Sequence, residues 1–105
     1  MLIKAGVKAA GVKPELLLGL SVADTLHRRL TGEELVVTSL TDGKHKATSL
    51  HYKGLAADLR TKDLNTAQKQ IFYLQLRDAL GPGFDVIFED EGKPNEHIHL
   101  EFDPA

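Results

Sequence analysis

The six residues His97 to Phe102, HIHLEF, alternate polar and apolar side chains without a break. A period of two belongs to a β-strand, whose successive side chains point to opposite faces. His97, His99 and Glu101 then share one face, and Ile98, Leu100 and Phe102 share the other. This is a half-buried strand with a polar working face.

The remaining chain supplies further elements by the same logic. Met1 to Lys13 mixes apolar residues, lysines and two glycines, and reads as a short edge strand or an extended arm. Pro14 suits the first position of a helix, where a missing N–H costs nothing. Leu16, Leu20, Ala23, His27 and Leu30 then recur at helical spacing, with Leu17, Val22 and Leu26 widening the stripe, up to Thr31-Gly32. His27 on this stripe is expected to be a hydrogen-bonded core residue. Glu34 to Leu40 is strand-like by its β-branched content. Thr41-Asp42-Gly43 is turn chemistry, Lys44 to Tyr52 is polar and irregular, Gly54 marks a bend, and Leu55 to Arg60 is the next strand. Asn65 with Gln68 forms a capping box ahead of a helix carrying Phe72, Leu76, Ala79 and Leu80. Gly81-Pro82-Gly83 stops that helix, and Phe84 to Glu89 is a strand. Helices and strands do not alternate throughout, so the expected class is α+β: a small, largely antiparallel sheet with two main helices.

Length and composition bound the function. With 105 residues, 42% of them hydrophobic, the chain suits one domain over 1–105 with one core. It opens on Met, as a complete small protein would. A formal net charge of −2 argues against a nucleic-acid surface, which is ordinarily basic. Lys44, Lys46 and Lys53 gather near one histidine cluster and suit either an anionic substrate or a solvated loop. There is no cysteine, which removes disulfides, thiolate metal sites and a Cys nucleophile. No apolar run has the length of a membrane span or of a signal-peptide core. The expectation is a soluble protein made in the cytoplasm, exported or released by another system if it acts on the cell wall.

Four of the five histidines, His45, His51, His97 and His99, fall in two short stretches, Thr38–Arg60 and Asn95–Glu101. Zinc accepts imidazole nitrogen and carboxylate oxygen, and a catalytic zinc keeps three protein ligands and one open position. His51, Asp58 and His99 supply such a set, with Gly54 bending the chain between the first two. Two imidazoles and a carboxylate favour zinc over other divalent ions. Hydrolysis also needs an acid–base group. Glu96 is the first candidate, provided that it lies in a loop or bulge, since strand parity points it away from His99. Glu89 is the competing acid. His97 and His45 are placed to hydrogen-bond the attacking water or a tetrahedral intermediate, and Glu101 stands beside the ligands rather than among them.

The pattern Ser49-x-His51-x-x-Gly54-x-Ala56-x-Asp58, followed by Glu96 three residues before His99, resembles that of the zinc D-Ala-D-Ala carboxypeptidases and dipeptidases and the phage L-alanyl-D-glutamate endopeptidases. The resemblance spans Val36 to Phe102 and implies His51, Asp58 and His99 as zinc ligands, Glu96 as catalytic base and peptidoglycan-derived peptides as substrate. The related Hedgehog signalling domain is similar locally, in DGKHKATSLHYKGLAADL and in GFDVIFE with HIH. That similarity brings His45 into the site and makes Glu89 the rival base. Thr38 to Gly43 has no arginine where the carboxypeptidases hold their substrate's carboxylate, so Lys44, His45 or Lys46 is expected there. The acidic calcium cluster of Hedgehog domains is not evident. The alternatives to a hydrolase are a zinc-stabilised binding module and a phage structural or assembly protein with a vestigial site.

Overall fold

A computed structural model describes residues 1–43, 45 and 47–104. The elements run β1 (Leu2–Ile3), α1 (Pro14–Thr31), β2 (Val36–Ser39), β3 (Ala56–Arg60), α2 (Thr66–Leu80), β4 (Phe84–Glu89) and β5 (His97–Phe102). The class is α+β, as expected, with two helices and one five-stranded sheet of order β1-β2-β3-β5-β4 among the described residues. The sheet is mixed rather than wholly antiparallel. β1 joins β2 in parallel, while β2–β3, β3–β5 and β4–β5 are antiparallel. The parallel pair follows from α1, which carries the chain from β1 back across the sheet, as parallel pairing requires.

Both helices cover the same face. Leu16, Leu20 and Ala23 of α1 and Phe72 and Leu76 of α2 are buried against Val37, Ala57, Leu59, Val86, Ile98 and Leu100. Burying one such large side chain contributes about 1.5–3 kcal/mol. Gly19 allows the closest approach, since a Cβ there would meet the Phe84 ring at 2.8 Å. Leu17, read as part of the buried stripe, is exposed, as are Leu18, Ile71 and Leu74. The stripe that meets the sheet is narrower than the run of leucines. His27 is fully buried, with Nδ1 2.8 Å from the Glu33 carbonyl and its ring edge-on to Phe72. The capping box of α2 forms as read, with Asn65 and Gln68 each bonding the other's backbone N–H.

With the helices on one side, the opposite face of the sheet is left for polar residues. Register lines them up in rows: Asp58 opposite His99 and Arg60 opposite His97 across β3–β5, then Ile87 opposite His99 and Glu89 opposite His97 across β4–β5. A register shift in β2 between Val37 and Ser39 sets Ser39 opposite Asp58. The long connection from β2 to β3 folds over this face. Residues of the N-terminal arm hold it down, through Thr41 N–H to the Lys8 carbonyl at 3.0 Å and Lys13 N–H to the Gly54 carbonyl at 2.9 Å.

Candidate metal centre

Asp58 is the hub. It sits mid-strand on the polar face, where both neighbouring positions across the ladder are occupied. Its Oδ1 lies 3.1 Å from His99 Nδ1 and 3.3 Å from His51 Nε2. His99 reaches it by strand register alone. His51 reaches it from the connecting loop, because the chain reverses over Leu50–Leu55: Gly54 N–H bonds the His51 carbonyl at 3.1 Å and Leu55 N–H the Leu50 carbonyl at 3.0 Å. Gly54 holds φ at +74°, and a Cβ there would overlap the carbonyl of Gly11. The bend read from sequence is therefore a position only glycine fills.

The ligand atoms of His51, Asp58 and His99 all lie within 4.8 Å of one another. A tetrahedron with bonds of about 2.0–2.1 Å has edges of roughly 3.3–3.4 Å, close to the two distances from Oδ1. The backs of both rings are also engaged. His51 Nδ1–H donates to the Leu40 carbonyl at 2.7 Å, which leaves Nε2 as a lone pair aimed inward. His99 Nε2 meets Glu101 Oε1 at 2.7 Å, which leaves Nδ1 aimed inward. An acceptor behind each ligating imidazole, fixing tautomer and orientation, is the usual support of a metal site. The donor set and the groups behind it thus fit a divalent cation.

Electrostatics tell the same story. Burial would raise the Asp58 carboxyl, but the hydrogen bonds that His51 and His99 give it, and the charges of His51 and His97, when those rings are protonated, outweigh it and hold it well below the usual carboxylate range. Burial would lower His99, yet its bonds to Asp58 and Glu101 push it up to about 9. Binding a divalent cation there would displace a proton from His99.

His97 and His45 flank the triad. His97 Nε2 lies 3.6 Å from Asp58 Oδ1 and 3.3 Å from Glu89 Oε1, while its Nδ1–H donates to the Asn95 carbonyl at 2.7 Å. His45 stacks flat on His51, with centroids 3.9 Å apart, and its Nε2–H donates to the Asp42 carbonyl at 2.8 Å. Stacking makes His45 a wall that steadies His51. Lys44 and Lys46, expected to hold a substrate carboxylate, lie outside the described residues.

Glu96 is not brought to the triad. It does lie in the loop before β5, as its proposed role needed, but its carboxylate faces away. One oxygen accepts from Thr61 Oγ1 and Lys69 Nζ, both at 2.6 Å, and the other accepts from Gly92 N–H at 2.8 Å. The Lys69 ammonium, followed by Thr61 and Gly92, holds its carboxyl down at about 2. The carboxylate that does face the imidazoles is that of Glu89, 3.3 Å from His97 Nε2 and 3.8 Å from His99 Nδ1, with its side chain 44% exposed.

Two clefts meet at this wall. One, of about 640 Å³, opens over His45, His51, Asp58, Glu89, His97 and His99. The other, of about 560 Å³, shares Asp58 and His97 with the first and is lined by Lys4, Arg60, Lys62, Lys69 and Lys93. Lys69 is taken by Glu96; Arg60 has no acidic partner among the described residues. Strand parity from Asp58 would have located Arg60 on the working face. No sequence signal marks the backbone carbonyls of Leu40 and Asn95 or the pairing of Lys69 with Glu96. Among the described residues no helix is long and apolar enough to cross a membrane. No family model matches the chain, and no curated protein matches it.

Proposed function

We propose that the chain is a zinc-dependent peptidase of the D-Ala-D-Ala carboxypeptidase and L-alanyl-D-glutamate endopeptidase kind, acting on peptidoglycan-derived peptides. The observation that carries this is the convergence of His51 Nε2, Asp58 Oδ1 and His99 Nδ1, each imidazole braced from behind, at the floor of an open cleft. Bound there, zinc supplies a Lewis acid.

The chain's own residues do the rest. Glu89, the half-exposed carboxylate over the triad, takes the proton of the attacking water and passes it to the leaving amine nitrogen. His97, when Nε2 carries a proton, hydrogen-bonds the peptide oxygen as negative charge grows on it. Ile87, 46% exposed and paired with His99 across β4–β5, offers an apolar contact for a small side chain beside the cleft. Arg60, in the adjoining cleft and across from His97, suits a carboxylate on the substrate, where the sequence had pointed to the loop lysines. The Hedgehog/D-Ala-D-Ala peptidase fold is part of the same proposal. It is supported by the α+β sheet with its helices on one face and the ligands on the other.

The test is metal content and turnover measured together. Purified chain should carry one zinc and cleave synthetic stem peptides containing D-amino acids, and a chelator should stop it. Single replacement of His51, Asp58 or His99 should lose both. Full zinc occupancy in all three variants overturns the ligand assignment. Zinc binding without cleavage of any stem or cross-link peptide leaves a zinc-stabilised binding or assembly module.

A further inference from the structure

Beside the triad lies a second convergent group. The ligand atoms of Asp58, Glu89 and His97 also fall within 4.8 Å of one another. His97 gives its Nδ1–H to the Asn95 carbonyl at 2.7 Å, so its Nε2 presents a lone pair. That lone pair faces Glu89 Oε1 at 3.3 Å and Asp58 Oδ1 at 3.6 Å. An imidazole lone pair and two carboxylate oxygens repel one another unless a proton or a cation stands between them. The ring is braced from behind by a carbonyl, as His51 is by Leu40, and the donors are again nitrogen and oxygen.

We propose that Asp58, Glu89 and His97 form a second divalent-cation site, filled at raised zinc, whose occupancy silences the hydrolytic site. This rests on the reading above, in which the triad holds one zinc and Glu89 moves the proton. Asp58 is common to both groups, and an ionised carboxylate has about four lone-pair sites, enough to serve two cations. Paired metals sit about 3.5–4 Å apart in known two-metal sites. The two groups adjoin: both include Asp58 Oδ1, and Glu89 Oε1 of one lies 3.8 Å from His99 Nδ1 of the other.

The second cation binds more weakly than the first. It has to settle beside an existing dication with one shared carboxylate between them, and Glu89 is half in water. Once bound, it occupies the carboxylate oxygen that would accept the proton and the imidazole nitrogen that would carry one. Zinc in excess then acts as an inhibitor through the residues that serve turnover.

Equilibrium dialysis of the full chain against rising free zinc, read by elemental analysis, tests this without relying on activity. The wild-type chain should take one equivalent, then a second at free zinc at least about tenfold higher. Glu89→Gln and His97→Ala should each keep the first equivalent and lose the second, while Glu96→Gln keeps both. In parallel, hydrolysis by the wild type should rise with the first equivalent and fall with the second. A chain that saturates at one zinc, or a second equivalent that survives in both variants, overturns the proposal and leaves the peptidase reading intact. A chain that takes up no zinc overturns both.

Discussion

Replacing Glu96 by alanine separates a carboxylate that holds the fold from one that does chemistry. The substitution removes an ion pair to Lys69 at 2.6 Å, a hydrogen bond from Thr61 at 2.6 Å and one from Gly92 N–H at 2.8 Å. Hydrogen bonds to a charged group contribute about 1.5–3 kcal/mol each, and they do not add. Lys69, 22% exposed, regains water; Thr61 is fully buried and is left with an unmade hydrogen bond, at a cost of about 1–3 kcal/mol. The net loss is about 2–4 kcal/mol, which lowers the melting temperature of a domain this size by roughly 10–25 °C. The effect also has a pH signature. The carboxyl sits at about 2 in the fold against an ordinary 4.5. Its folded value is depressed, so its contribution is fully present above 4.5 and fades as the pH falls toward 2. The gap between wild type and variant should narrow over that interval. Thermal melts with one zinc equivalent bound, and kcat measured at the same loading well below the transition, are the assay. Turnover per folded molecule should fall by less than about tenfold, and zinc should stay bound. An unchanged melting temperature with turnover down by about a hundredfold or more would make Glu96 the general base and refute the assignment to Glu89.

Glu89→Gln should behave in the opposite way, with stability within about 0.5 kcal/mol because the side chain is half exposed and kcat lower by about 10²–10⁴. Glu101→Gln, which weakens the acceptor behind His99 at 2.7 Å, should weaken zinc binding by about 10–100-fold in a competition titration with a chromophoric chelator; unchanged affinity would mean that Glu101 does not brace the ring. Gly54→Ala should lower the melting temperature and the zinc affinity together, since relief of the overlap with Gly11 has to move the loop that carries His51; a variant as stable as wild type refutes the role given to that bend. Arg60→Ala should raise KM for a substrate with a carboxylate near the scissile bond and leave KM for its amide unchanged, in steady-state kinetics.

Much of this protein was written locally. The HIHLEF alternation put His97, His99 and Glu101 on one face, and β5 spans those same residues. Pro14 and the Asn65 capping box marked both helix starts, because caps and proline act within one turn of chain. The triad was legible as well, from residue types that suit a divalent cation and from the motif that carries them, and its ligand atoms do converge.

Other features depended on the tertiary structure. Parity warned that Glu96 points away from His99, but not that it points to Lys69, because that partner arrives on a helix packed from elsewhere. Glu89 gained its place through the β4–β5 register, which sets it opposite His97. The tautomers of His51 and His97 are set by the carbonyls of Leu40 and Asn95, and every residue has a carbonyl, so no side-chain pattern signals which one is used. Local sequence therefore determined the elements and the kinds of donor, since those depend on spacing and chemistry within a few residues. The packing of distant strands and loops decided which acid faces the imidazoles and where each proton rests, because these depend on distances of a few ångströms between groups far apart in the chain.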